Sequence, residues 1–414
     1  MPSASRIYMR VINLDVLQRR TLTWAGLAVV LTAFDGSVLV LALPAIASDF
    51  HAQIPALSNL GSVLALGSLG ALPLATLADR FGRRRLIAIG VLGFSIANFA
   101  SAFAPSLTAL SFIRLIAVCF EALVGGVATA LIVEEAPPGR RGQAVSVLAV
   151  LAGVGAGITV VTYPLLAPHW RWLFLAGGVG VLAAPAIWLR LPEGRTWSKA
   201  ISEAHPGLRG SALRPAGSAL RLLMSSPWRR RIVVLSATTA LLAVLLEPAG
   251  LLFTVFATET LRMTPAAIST LIVASGVAGG VAYLAGGYLS DRFGRRWPGI
   301  GLTASTAVVA SLSFATGIAG FVIGNVLWSA IASASTPVFG AWSAELFPTR
   351  ARATAEATGG VAAAVGSVAG LQAVGLLSQS LGLGRALEIV GVAALAGAFL
   401  LLLLPETKQA PLPD

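Results

Sequence analysis

Asp79-Arg80-Phe81-Gly82-Arg83-Arg84 and Asp291-Arg292-Phe293-Gly294-Arg295-Arg296 are the same six residues, 212 positions apart. Two further motifs recur at almost the same offset. Glu134-x-x-Pro137-x-x-x-Arg141 returns as Glu345-x-x-Pro348-x-x-x-Arg352, and Leu191-Pro192-Glu193 as Leu404-Pro405-Glu406. One offset shared by three motifs means that the chain is built twice from one unit.

What lies between the motifs identifies the unit. Of the 414 residues, 56% are apolar and only 11% charged, and the mean hydropathy is +0.85. An ordinary soluble domain carries about 25% charged residues, enough to cover its surface. This chain cannot cover one. Its net charge of +12 therefore points to basic loops beside a membrane rather than to nucleic acid. Apolar runs of about 20 residues, the length that crosses a bilayer core, fall at 22–46, 56–78, 86–104, 107–133, 142–167 and 172–191. They recur at 231–256, 266–289, 298–315, 317–343, 353–379 and 384–404. The expectation is an all-α membrane protein of twelve transmembrane helices in two six-helix bundles related by pseudo-twofold symmetry. The bundles occupy 1–191 and 231–414. The basic, Pro- and Gly-containing stretch 192–230 is a cytoplasmic linker, with short surface helices near 197–204 and 216–226.

Arginine placement orients the chain. With the N-terminus inside, 25 of the 29 basic residues fall in cytoplasmic segments and three, Arg171, Arg262 and Arg385, in outer loops. Both termini are expected to be cytoplasmic, in an integral, multi-pass protein of the plasma (inner) membrane. Cys119 has no partner for a disulfide, and His51, His169 and His205 lack metal-ligand spacing. Lys199 and Lys408 are the only lysines and neither follows a phosphate-binding glycine loop. No cofactor, metal or catalytic residue is expected, and the chain is not read as an enzyme.

At these motifs the chain resembles a major facilitator superfamily transporter over its whole length. Gly70 to Arg85 is similar to that family's G-x-x-x-D-R-x-G-R-R signature. The run from Arg114 to Arg141, with Pro192-Glu193 and Pro405-Glu406-Thr407-Lys408, resembles the sugar porter and metabolite:proton symporter branches. The resemblance implies alternating access driven by a proton gradient. It places Asp35 and Arg114 on the positions of a proton-coupling pair. The motif acids and bases, Asp79, Arg83, Glu134, Arg141, Glu193, Asp291, Arg295, Glu345, Arg352 and Glu406, are expected to form an inner gate. Pairs such as Asp79 with Arg83, Arg141 with Glu193 and Arg352 with Glu406 would hold one conformation and break in the other.

Charges at membrane depth are costly and mark function. Here they are Asp35 in span 1, Arg114 and Glu121 two turns apart in span 4, and Glu247 in span 7. Glu247 is the repeat mate of Asp35, but the mate of Arg114 is the neutral Asn325. Asp35 with Arg114 is therefore assigned the proton, and Glu121 and Glu247 the substrate. Asn325, Tyr163, Tyr283, Trp328 and Gln372 are candidate cavity residues. Around Glu247 the amides and Tyr pair of sugar porters are replaced by Leu246-Glu247-Pro248-Ala249-Gly250-Leu251-Leu252, so a sugar is not expected. Three deep acids against one arginine favour a cation, zwitterion or neutral small molecule over a dianion. The protein is expected to act as a monomer in the lipid bilayer, importing by symport. Efflux antiport and uniport are the alternatives.

Overall fold

The computed structural model describes residues 15–70, 82–136, 141–194, 216–348 and 351–408. Among the described residues there are helices and turns and no strand, as a bilayer requires when every backbone N–H must find its acceptor within its own segment. The first half holds α1 (Val16–Asp49), α2 (Ile54–Leu69), α3 (Arg83–Ala102), α4 (Leu107–Glu135), α5 (Arg141–Leu166), α6 (Trp170–Gly177) and α7 (Gly180–Arg190). A short α8 (Ala216–Leu223) precedes the second half. That half holds α9 (Trp228–Leu251), α10 (Pro265–Phe293), α11 (Arg296–Ser313), α12 (Gly317–Leu346), α13 (Arg352–Leu381) and α14 (Leu383–Leu400).

Among the described residues ten stretches are long and apolar enough to cross a membrane; α6 and α7 count there as one, broken at Gly178-Val179. The other two expected spans also hold helices, but α2 is described over only 16 residues. The second, α11, starts with Arg296, Trp297 and Pro298 and falls outside the set. Starts follow local chemistry. Asp15 caps α1 in a reciprocal box with Gln18, Ser106 caps α4 through Ala109 N–H, and Thr264 caps α10 ahead of Pro265. The linker helix predicted near 216–226 is α8, anchored on the second bundle by the buried Leu223. The one predicted near 197–204 lies outside the described residues.

Within each bundle a glycine lets two helices approach to backbone contact. Gly155 of α5 lies against the Val30 carbonyl of α1, and Gly366 of α13, its repeat mate, against the Ala240 carbonyl of α9. A methyl group at either position would overlap the facing carbonyl. The repeat therefore extends from motifs to packing.

Between the bundles, α2 runs along α13 and α5 along α10, two interfaces related by the same repeat. The hydrogen bonds that join the bundles cluster in the half away from the arginine motifs. Gln372 Nε2 donates to Asn59 Oδ1 and Ser62 Oγ, both at 2.9 Å. Thr254 Oγ1 donates to the Val40 carbonyl, and Ser269 Oγ to the Val160 carbonyl at 2.8 Å. Gly61 fits beneath Leu251 and Leu371 in the same half. The bundles are latched at that end.

Candidate functional site

The buried charges of the first bundle form one cluster. Arg114 of α4 is 1% exposed and Asp35 of α1 is fully buried. Arg114 Nη1 donates to Asp35 Oδ1 at 3.1 Å and to Asn98 Oδ1 of α3 at 2.7 Å. Its Nη2 donates to Glu121 Oε1 at 3.0 Å, and the guanidinium lies 5.4 Å from the centre of the Phe174 ring of α6. The predicted Asp35–Arg114 pair is thus present, and Glu121 joins it instead of standing apart at the substrate. Two turns of α4 separate Arg114 and Glu121, so both project from one face. Asn98 and Phe174 escaped the sequence reading. Asn98 had a signal, a lone amide within an apolar span; Phe174 had none.

With both acids ionised the cluster holds two negative charges and one positive. A single added proton makes it neutral, and also removes an acceptor from Arg114. In a bilayer interior the charge count is the dominant consideration, because unpaired charge there is expensive.

Beside the cluster, a cavity of about 370 Å³ lies between the bundles. Its first-bundle wall is α1 and α5, from Gly36, Ser37, Val40, Leu41, Ala156 and Val160. Its second-bundle wall is α9, α10 and α12, including Gly250, Phe253, Ser275, Asn325 and Trp328. Val40 and Val160 carry the carbonyls that the latch bonds reach, so the latch roofs the cavity. Gly36 connects the cavity to the charge cluster; a Cβ there would stand 3.8 Å from Glu121 Oε2.

Of the candidate cavity residues, Asn325 and Trp328 line it. Glu247 does not. It shares a face of α9 with Gly250 and Leu251, which meet the cavity and α2. Glu247 itself, one turn earlier, is exposed. Tyr283 is exposed two turns beyond Gly276 on the same face of α10. Glu247 and Tyr283 are therefore exposed side chains outside the cavity lining. Tyr163 is buried in the apolar core with Trp170 and Phe174, and Gln372 belongs to the latch. Both corrections have one cause: helical periodicity fixes a face, but the depth at which the bundles touch decides what that face meets.

At the arginine end the repeated motifs form two equivalent clusters. Glu193 Oε1 accepts from the backbone N–H groups of Arg83 (2.7 Å) and Arg84 (3.1 Å). Glu406 accepts from those of Arg295 (2.9 Å) and Arg296 (3.0 Å). Each Pro-Glu after the sixth span thus caps the third helix of its own bundle, where free N–H groups and the helix dipole favour a carboxylate. Gly82 (φ 89°) and Gly294 (φ 90°) turn the chain into those helices, and a Cβ on Gly294 would strike the Glu406 carboxylate. Arg83 pairs with Glu134, and Arg295 with Glu345 (3.0 Å) and Asp291 (3.0 Å).

Electrostatics at the second cluster are consistent with this. Burial works against the Glu406 charge, but the N–H groups of Arg295, Arg296, Lys408 and Thr407 outweigh it and hold its pKa below the usual carboxylate value. The Glu345 hydrogen bond leads the causes that keep Arg295 charged above the usual guanidinium value.

One expected pairing requires correction. Arg352 Nε donates to the Phe347 carbonyl, not to Glu406, whose oxygens are taken by backbone N–H groups. Glu193 accepts from the start of α3; its expected partner, the Arg141 side chain, and Asp79 lie outside the described residues. In this structure the motif pairs join helices of one bundle rather than the two bundles.

Known proteins agree with this architecture. The Major Facilitator Superfamily profile matches residues 25–258 and 239–414. The chain belongs to the Major Facilitator Superfamily. It is therefore an integral, multi-pass membrane protein whose relatives are transporters. The protein named "Probable 4-methylmuconolactone transporter" from Cupriavidus pinatubonensis is 28% identical over 406 residues, covering 91% of this chain and 88% of that one. The puromycin resistance protein of Streptomyces alboniger is 34% identical over 194 residues, 44% of this chain and only 38% of that protein. Among solved structures, the inward open xylose transporter of E. coli superposes with a TM-score of 0.73 at 19% identity, over 95% of this chain and 97% of that one. At that identity the likeness speaks for the fold.

Proposed function

We propose that this superfamily member is a proton-coupled secondary transporter that imports a small organic solute by symport. The arginine end is the cytoplasmic face by the positive-inside rule. The structure then corresponds to an inward-open state, latched outside by Gln372, Thr254 and Ser269. The solute sits in the cavity between α1, α5, α9, α10 and α12.

The single observation that carries proton coupling is the Asp35–Arg114–Glu121 cluster, two carboxylates on one guanidinium, separated from the cavity by Gly36. Proton arrival loosens one carboxylate from Arg114, and proton loss restores it. Because that step lies beside the solute, protonation and occupancy can bias the same change of state. The likeness to a protein named as a probable 4-methylmuconolactone transporter, over 91% of this chain, supports transport of a small organic solute. The resistance protein keeps export as the second reading.

The test is a solute screen in proteoliposomes with and without an imposed pH gradient, repeated with Asp35→Asn. Gradient-driven accumulation should occur in the wild type and vanish in the variant, while downhill exchange persists. Accumulation that is unchanged in Asp35→Asn refutes proton coupling through this cluster. Solute leaving against its gradient as protons enter favours export.

A further inference from the structure

Asn325 and Trp328 lie three residues apart on α12 and both line the cavity. Asn325 is 5% exposed. Its Oδ1 accepts from Ser275 Oγ at 3.2 Å, while its Nδ2 is buried without a hydrogen-bond partner. Trp328 Nε1 is likewise buried and unpartnered. Ser329 Oγ is occupied with the Ser275 carbonyl at 3.4 Å. Both neighbouring hydroxyls donate elsewhere, and two N–H donors are left without an acceptor on one wall.

An indole N–H can only donate, and a buried donor without an acceptor costs free energy that a correctly placed ligand oxygen recovers. None of the residues lining the cavity is charged. The deep acids cannot serve a cation there: Asp35 and Glu121 are bound to Arg114, and Glu247 lies outside the lining. Apart from the hydroxyls of Ser37, Ser275 and Ser329, the rest of the wall is aliphatic, glycine and Phe253, and about 370 Å³ suits a compact solute with an apolar body.

We infer that Asn325 and Trp328 form a donor pair that recognises an sp² oxygen, a carboxylate or carbonyl, on a compact solute with an apolar body, and that the cavity selects such acceptors over ammonium compounds. This rests on the cavity being the solute site of the transport reading above.

The test uses the purified full chain in detergent, with benzoate, methyl benzoate and benzylammonium as probes in titration calorimetry. Benzoate or methyl benzoate, or both, should bind, and benzylammonium more weakly. Trp328→Phe keeps the ring and removes the N–H. It should weaken the acceptor-bearing probe about five- to tenfold, the worth of one hydrogen bond. Its unfolding temperature should stay level or rise, because the deleted donor had no partner in the free protein. Asn325→Leu should weaken binding too, but it also strips Ser275 of its acceptor, so Trp328→Phe decides. The inference is overturned if neither acceptor probe binds the wild type, if benzylammonium binds more tightly than both, or if Trp328→Phe binds unchanged. It is also overturned if Trp328→Phe unfolds more easily, which would make the N–H structural. Wild-type proton-driven uptake of some other solute by Trp328→Phe proteoliposomes would leave the transport reading standing while the donor pair falls.

Discussion

The two bundles share their ends and differ in their middles. At the arginine end, Glu193 caps α3 and Glu406 caps α11 through equivalent pairs of backbone N–H groups, and Arg83–Glu134 matches Arg295–Glu345. At mid-depth the equivalence stops. The first bundle buries Asp35, Arg114, Glu121 and Asn98 in one network. The corresponding positions of the second are Glu247, Asn325, Ala332 and Ala310. The repeated ends hold each bundle together as a body that can move as a unit. The unrepeated interiors divide the chemistry, with charge compensation in one bundle and neutral hydrogen bonding in the other.

The largest test of that division is Arg114→Leu against Asn325→Leu. The first leaves two acids without their cation and should destabilise the protein by about 3–5 kcal/mol, as broken buried ion pairs do. The second removes one neutral hydrogen bond and should cost about 1 kcal/mol. Thermal unfolding of the purified variants measures both, and equal losses would erase the contrast. Arg114→Leu with Asp35→Asn and Glu121→Gln together should regain part of the loss, since no unpaired charge remains.

The shared ends predict parallel behaviour. Glu193→Gln and Glu406→Gln should lower the unfolding temperature by similar amounts at neutral pH. For Glu406 the sign with pH is set: its pKa is depressed in the folded protein, so its contribution is present above the unfolded carboxylate pKa. It is lost as pH falls through the folded value. The difference between wild type and Glu406→Gln should therefore shrink on acidification; a gap constant across pH 7 to 3 would contradict the capping role.

A smaller effect is expected where the bundles meet. Gln372→Ala removes both bonds to Asn59 and Ser62 while leaving each bundle intact. Each such bond is worth about 1 kcal/mol, about fivefold in the balance of states, so losing both moves it up to about thirtyfold toward opening at this end. Spin labels on the loops following α1 and preceding α10 should show the longer distance gaining population. Glu247→Gln should be the mildest in stability, because the group is exposed and unpaired among the described residues; a large loss would contradict that exposure.

Much of this was legible in residue order. Three motifs at one offset implied two bundles, and the structure extends the repeat to the Gly155 and Gly366 contacts. Asp35 and Arg114 announced themselves as opposite charges in apolar spans. The span reading was less secure at its polar start, where α11 begins with Arg296. The gate partners were not legible, because a charge list carries no partner. Arg352 and Glu406 look complementary in sequence, yet backbone N–H groups had first claim on Glu406. Gln372, a plausible cavity amide on its helix, proved to be a latch.

Sequence alone determined the membrane class, the duplication, the basic end and the deep charges, since each follows from local hydropathy, a fixed period or the cost of charge in lipid. Tertiary structure decided which acid shares Arg114, where the bundles are latched, and which polar groups remain unsatisfied beside the cavity. Those depend on helices far apart in the chain meeting at a particular depth, and side-chain order along one helix does not encode where its neighbour stops.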